Sequence, residues 1–266
     1  MSTETLPVEQ PSLAIPPEAY PDVEHLVTED DTPVDNIFSE KQQRLLTEPL
    51  YHWPDWATER RSFIALANVG LFYVVGQPPY VPDMLLSLDV ELPADLWPKK
   101  HRSYFVWQYG KPPDVVIEVV SNDEGEEDDG KLAGYARIGI PYYVIYDPQR
   151  LLSDQALRAF GLHPTGYQPL PEPTRLAGTG LGLDLWEGQY EDHHDTWLRW
   201  TDERGRLIPT GAECIDHQRQ RAEAEKQRAE AEGQRAEAEK QRAEVERQRA
   251  ERLAEQLRRL GVQPDG

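Results

Sequence analysis

Two apolar stretches each carry an acid that a buried strand does not need. In PPDVVIEVVSNDEG (112–125), Glu118 interrupts the run VVIEVV and Asp114 opens it. In VPDMLLSLDVELP (81–93), Asp83 heads a second apolar run. A carboxylate taken out of water is neutralised, paired or bound to a cation, because an uncompensated charge in a core is too costly. Side chains two apart in a strand share a face. Asp114, Val116, Glu118 and Val120 therefore lie on one side, and Val115, Ile117 and Val119 on the other. If the two stretches pair antiparallel with matched ends, position 90 faces about 112 and position 83 faces about 119. That register brings Asp83 beside Glu118 and leaves Asp114 at the far end, near Asp89; a one-residue slip would change the face.

Two carboxylates side by side repel unless a cation joins them. All-oxygen ligands suit magnesium or manganese. A metal held by only a few protein oxygens keeps positions for water and a phosphate oxygen, so it can polarise the phosphate and generate a nucleophile. A cationic side chain is then wanted to orient the water and balance the developing charge. Lys131 is the nearest candidate, with Tyr135 one turn further along the same helix face.

These residues need a scaffold, and the pattern supplies one. Asp35 to Leu50 reads as a first helix with Ser39 as N-cap and Ile37, Leu45 and Leu46 on its apolar side. FIALANVGLFYVV (63–75) reads as one or two strands with a bend at Gly70, and 81–93 and the 112–125 stretch as further strands. KLAGYARI (131–138) reads as a short helix closed by Gly139 and Pro141, and YYVIYDP (142–148) as the strand after it. ALRAFGLHPTGYQPL, LDLWEGQYE and DTWLRWTDERGRLIP read as short strands and hairpins. The order predicts a mixed α/β (α+β) domain of about 180 residues. Residues 1–32, rich in proline and acids, are expected as a loose arm, 33–215 as the folded domain and 216–260 as a separate element.

That last element repeats QRAEAEK with a period of seven and consists of strong helix formers with Glu–Arg pairs at i,i+3 and i,i+4. With Ala250, Leu253, Leu257 and Leu260 as a/d positions, the preceding d positions are Glu225, Glu232, Glu239 and Glu246. Only the last two heptads therefore resemble a coiled coil. A homodimer or other self-association through 216–260 and a solitary charged helix both remain open.

The net charge of −20 is uneven: residues 1–217 carry 16 Lys+Arg against 37 Asp+Glu, a balance of −21. This argues against broad, non-specific polyanion binding, which runs on many Lys/Arg–phosphate contacts. Six of the acids fall in Asn122 to Gly130, a solvated loop by composition. Cys214 is the single cysteine, so no intrachain disulfide or cysteine-based zinc site forms. The N-terminus lacks the pattern of a secretory signal, and the longest apolar run (63–76) is too short to span a bilayer. The expected location is the cytoplasm. The aromatics of YFVWQYG and WLRW could stack on unpaired bases, but at strand spacing they read as core. His193-His194-Asp195 hints at metal without a second ligand cluster.

Asp83 in VPD, Glu118 in IEVVS, and Lys131 and Tyr135 in KLAGYARIGIPYYVIYDP together resemble the Uma2 family of the PD-(D/E)XK nuclease superfamily. The resemblance covers about residues 33–190, with its motifs in 81–148. It implies a restriction-endonuclease-like core, a central mixed sheet flanked by helices, and divalent-metal-dependent hydrolysis of DNA. Carried over, the pattern gives Asp83 and Glu118 as metal ligands for Mg²⁺ or Mn²⁺. The superfamily lysine belongs two residues after Glu118, where this chain has Val120; Lys131 on the following helix fits a relocated lysine. Asp114, Tyr135 and, on the first helix, Glu40 are the supporting candidates. The competing expectation is a binding or scaffold protein that keeps the nuclease fold, cleaves nothing and acts through its charged helix. RNA is a third, minor substrate reading.

Overall fold

The computed structural model describes residues 16–26, 36–53, 61–121, 130–171 and 174–259. The chain forms two units, Met1–Gly211 and Ala212–Gly266.

The first unit is built on a six-stranded mixed sheet. Its strands are β1 (Phe63–Ala67), β3 (Met84–Leu88), β5 (Val115–Val119), β6 (Tyr142–Tyr146), β7 (Leu157–His163) and β8 (Gly166–Pro169), in that spatial order. β5 and β6 are parallel and every other neighbouring pair is antiparallel. A parallel pair needs a crossover connection, and here it runs through a helix, Gly130–Ile138. A two-residue parallel pair, β2 (Leu71–Phe72) with β4 (Tyr104–Phe105), lies beside it. A three-stranded antiparallel sheet, β9 (Thr174–Leu176), β10 (Leu181–Tyr190) and β11 (His193–Asp202), follows in the chain. The helices are α1 (Ile37–His52), α2 (Val106–Tyr109), α3 (Gly130–Ile138) and α4 (Gly211–Arg259).

The alternation of β5 sorts the two cores. Val115, Ile117 and Val119 pack with Leu46 and Leu50 of α1 and with Leu183, Leu198 and Trp200 of the second sheet. Val116 and Val120 pack on the opposite face with Tyr135 of α3, Leu85, Tyr104, Tyr143 and Ile145. Trp200 and Tyr104, from the aromatic stretches read as core, are 1 % and 0 % exposed. Asp147 closes β6 by accepting from Leu151 N and Leu152 N, which satisfies a fully buried carboxylate within its own turn.

Several local expectations are corrected. Asn36, not Ser39, caps α1: its side chain accepts from Ser39 N at 2.9 Å, and Ser39 sits buried in the first turn. An asparagine with extended backbone serves this role as well as a serine does. The bend between β1 and β2 starts at Asn68, which holds a left-handed φ of 53°. The strand expected over 81–93 is only five residues long, because Asp89 turns left-handed (φ 59°) directly after β3. Within residues 16–26, Val23 is buried against Phe72 and Phe105, and Lys99 donates to the Glu24 carbonyl.

The second unit is one helix for its described length, about 70 Å of rise at 1.5 Å per residue. None of its described side chains is buried. Pairs such as Arg247–Glu244 (3.0 Å) and Arg259–Glu255 (2.8 Å) run along it. Among the described residues no helix is long and apolar enough to cross a membrane.

Gln42 ties α1 to β11 with a paired amide, Nε2 donating to Leu198 O (2.8 Å) and Oε1 accepting from Leu198 N (3.0 Å). Gln42→Met keeps the volume but leaves a buried N–H and C=O unpaired, at about 1–3 kcal/mol each. Urea denaturation of this variant should show a loss of about 2–6 kcal/mol.

Candidate active site

Glu118 lies on the α3 side of β5, 1 % exposed, one residue from the strand's end. Both its oxygens are engaged from α3. Tyr135 Oη donates to Oε1 at 2.6 Å, and Lys131 Nζ to Oε2 at 3.0 Å. Positions i and i+4 share a helix face, so one turn of α3 delivers both donors to one carboxylate. Helix α3 packs this closely on Tyr80 because Gly134 has no side chain: a Cβ there would lie 2.0 Å from Tyr80 Oη. The Tyr80 and Tyr135 rings then meet at 5.0 Å between centroids. Gly139 (φ 88°) ends the helix in left-handed backbone, with its N–H and that of Ile140 returned to Tyr135 O.

Asp83 heads β3. The β3–β5 register, Met84↔Ile117 through Leu86↔Val115, continues to set position 83 opposite Glu118, one residue from the alignment expected in sequence. Its parity puts Asp83 on the same side as Leu85, the α3 side. Its Oδ2 accepts from Val119 N at 2.6 Å and its Oδ1 from Gln43 Nε2 at 3.0 Å. Gln43 is in turn oriented by Asn68, whose Nδ2 donates to Gln43 Oε1 at 2.9 Å, while Asn68 N meets Asp83 O at 3.3 Å. Sequence reasoning missed Gln43 and Asn68. A glutamine inside an amphipathic helix and an asparagine after a strand carry no signal of their own; the α1–β1–β3 contact makes them neighbours.

Burial pushes the Tyr135 phenol well above its ordinary value, reinforced by the Glu118 charge and hydrogen bond, then by Tyr143 and the Asp83 charge. One phenol thus lies in the field of both carboxylates and stays a donor at any ordinary pH. The other candidates are placed elsewhere. Asp114, at the opposite end of β5, accepts from Lys111 Nζ (2.6 Å) and Leu88 N (2.7 Å). Asp89, expected near it, pairs with Arg61 at 2.9 Å. Glu40 is exposed on α1 and pairs with Arg44 at 2.8 Å; it is Gln43, one turn on, that reaches Asp83. Val120, at the superfamily's lysine position, is core. His193 and Asp195 lie 3.3 Å apart in the β10–β11 hairpin. The acidic loop 122–129 lies outside the described residues.

Among the described residues no three of His, Cys, Asp and Glu converge on a metal-sized site. The acids that could hold an ion are Asp83 and Glu118 on neighbouring strands, and a magnesium-type ion needs only one or two protein carboxylates, keeping waters or phosphate oxygens for the rest.

With β5 and β6 parallel through α3 and acids at the adjoining ends of β3 and β5, the architecture is that of a restriction-endonuclease-like α/β core. The chain belongs to the Uma2 family, whose model, described as "Putative restriction endonuclease", matches residues 28–180. No curated protein matches the sequence.

Two predictions follow from this geometry. Asn68→Gly removes the amide but accepts the left-handed backbone, whereas Asn68→Ala loses both. Alanine should therefore be less stable than glycine by about 1–2 kcal/mol in urea melts, the cost of a Cβ in that conformation. Burial also raises the phenols of Tyr104, Tyr146 and Tyr167. A raised folded value means that the stabilisation is complete below the unfolded tyrosine value near 10 and is lost as pH rises above it. Absorbance titration at 295 nm should show these tyrosines and Tyr135 ionising together with unfolding, not before it.

Proposed function

We propose that this chain is a magnesium- or manganese-dependent endonuclease that hydrolyses DNA phosphodiester bonds. The observation that carries the reading is the convergence of Lys131 and Tyr135 on Glu118, with Asp83 across the strand pair. Asp83 and Glu118 would hold the ion, which when bound supplies charge neutralisation for the phosphate and a lowered pKa for its water. Lys131 keeps an ammonium at the site, a quarter exposed and so open to solvent on one side. From there it orients the attacking water and balances charge on the phosphate. Tyr135 fixes the Glu118 rotamer, and the Asn68–Gln43 pair fixes that of Asp83. Neither is asked to move a proton. Asp114 and Glu40 are assigned structural pairing. A cytoplasmic location and self-association through the C-terminal helix belong to this reading as proposals.

A second reading, a nuclease fold that binds without cleaving, has two observations in its favour. The position two residues after Glu118 is Val120, and residues 1–217 carry a balance of −21.

Supercoiled plasmid incubated with the protein and Mg²⁺ or Mn²⁺ should be nicked, and chelation should stop it. Glu118→Ala should abolish nicking and Lys131→Ala should slow it roughly 10²–10³-fold, the usual weight of one electrostatic contact to the reacting group. Calorimetric titration with Mn²⁺ should show Gln43→Leu binding roughly 10–100-fold more weakly with its fold intact, as expected for a residue that orients a ligand. Plasmid left intact with either metal by a protein that still binds Mn²⁺ would favour the non-cleaving reading.

A further inference from the structure

The loop between β3 and β4 contains the only four consecutive Lys/Arg/His positions in residues 1–217, Lys99-Lys100-His101-Arg102. They stand out in a stretch with more than twice as many acids as bases. Two residues before them, across Pro98, is Trp97, 81 % exposed, the most exposed large apolar side chain among the described residues. An indole in water is unfavourable by roughly the 1.5–3 kcal/mol that burying such a side chain would gain, yet this one is held outward by an ordered turn. Trp97 N donates to Asp95 Oδ1 (3.0 Å), Arg102 Nε to Trp97 O (2.8 Å), His101 N to Pro98 O (2.8 Å) and Arg102 N to Lys99 O (3.2 Å). Beside the turn lies a cavity of about 320 Å³, whose lining includes Tyr20, Asp22, Glu24, Lys99, Lys100 and Trp107. The chain leaves the turn into Tyr104, which packs on the same sheet face as Tyr135 and whose N–H meets Gly70 O (2.9 Å), two residues from Asn68. The turn is thus anchored on the face that carries Glu118.

An outward indole on a hydrogen-bonded turn, next to exposed cations, matches one chemistry well: a flat base above the ring and the phosphates of the same strand on the ammonium and guanidinium groups. A duplex keeps its bases stacked inside, so the strand must be unpaired where it meets Trp97. We infer that the Trp97–Arg102 turn is a binding surface for single-stranded nucleic acid, with Trp97 as the stacking platform and Lys100 and Arg102 as phosphate contacts. Asp22 and Glu24 keep the neighbouring cavity close to neutral, so the strand follows the turn rather than entering the cavity. The inference deepens the nuclease reading by naming unpaired strands as the bound form, but it needs no cleavage to be tested.

The test is fluorescence anisotropy of a labelled single-stranded oligonucleotide with the full chain in chelator, where no metal-dependent cut can occur. Trp97→Ala should weaken binding roughly 5- to 100-fold, the range for loss of one stacked base. Lys100→Ala should reduce the slope of log affinity against log salt by about 0.7, the share of one phosphate contact on a single strand. Both residues are solvent-exposed, so their replacement leaves the core intact. Absence of oligonucleotide binding at low salt, or variants that bind as the parent does, overturns the inference. So does an equal-length poly-glutamate peptide that displaces the oligonucleotide mole for mole. Glu118→Ala that has lost nicking but keeps parental affinity supports it, and a plasmid that is never nicked leaves the affinity result standing by itself.

Discussion

A glutamate that is 1 % exposed in the middle of a sheet sets the terms for its surroundings. Removing one partner from a buried ion pair costs about 3–5 kcal/mol, so Lys131 and Tyr135 are required as much by the fold as by any reaction. Meeting that requirement fixes where α3 lies. Its first turns must pass directly over the end of β5, and the crossover from β5 to β6 must be short enough to keep it there. Gly134 permits the approach to Tyr80, and Gly139 ends the helix so that β6 can return alongside β5. The Tyr135 ring packs between those of Tyr80 and Tyr143, at 5.0 and 5.1 Å between centroids, which holds the phenol that donates to Glu118.

The second acid is held in a different way. Asp83 takes donors from α1, through Gln43, and from the backbone of β5, through Val119. Asn68 adopts a left-handed conformation that a non-glycine residue adopts at some expense, and from there it reaches both Gln43 and the backbone of Asp83. Strain of this kind persists where surrounding contacts over-determine it. The consequence is that both carboxylates are rigid before any ligand arrives, each held by a separate part of the fold. Pre-organisation of that sort is what an electrostatic site needs, since groups that must first reorient give back part of their effect.

Much of this was readable from residue types. A charged residue within a run of valines, a lysine and a tyrosine four apart on a short helix, and a glycine–proline stop identify β5, α3 and the Glu118 cluster without coordinates. The expected pairing brought Asp83 near Glu118 but aligned it with position 119, on the other face; the observed register, one residue away, sets it opposite Glu118. Local pattern could not supply the long-range choices. Asn36 rather than Ser39 caps α1, because several residues near a helix start are competent caps and tertiary packing selects among them. Glu40 looked like the first-helix acid, but the helix is rotated so that Gln43 faces Asp83 and Glu40 pairs with Arg44. A rotation of that size follows from how Leu46 and Leu50 seat in the core, which is a property of the whole domain.

The acidity of the chain, which runs against a polyanionic substrate, acts on a different length scale from the site. Charges farther apart than about 8 Å are largely screened at physiological salt when they are exposed, and most of the described acids in residues 1–217 are not buried. At the site the balance is close. Asp83, Glu118 and Lys131 leave one net negative charge, which repels a phosphate only while no cation is present. On the proposed reading, a divalent ion held by Asp83 and Glu118 would reverse the sign to one net positive charge, in a region where burial weakens screening. Under the proposed nuclease reading, a metal requirement and the acidic composition would be compatible: a chain this acidic would disfavour nucleic acid over most of its surface and favour it only where a cation, or the proposed Trp97–Arg102 surface, makes the local potential favourable.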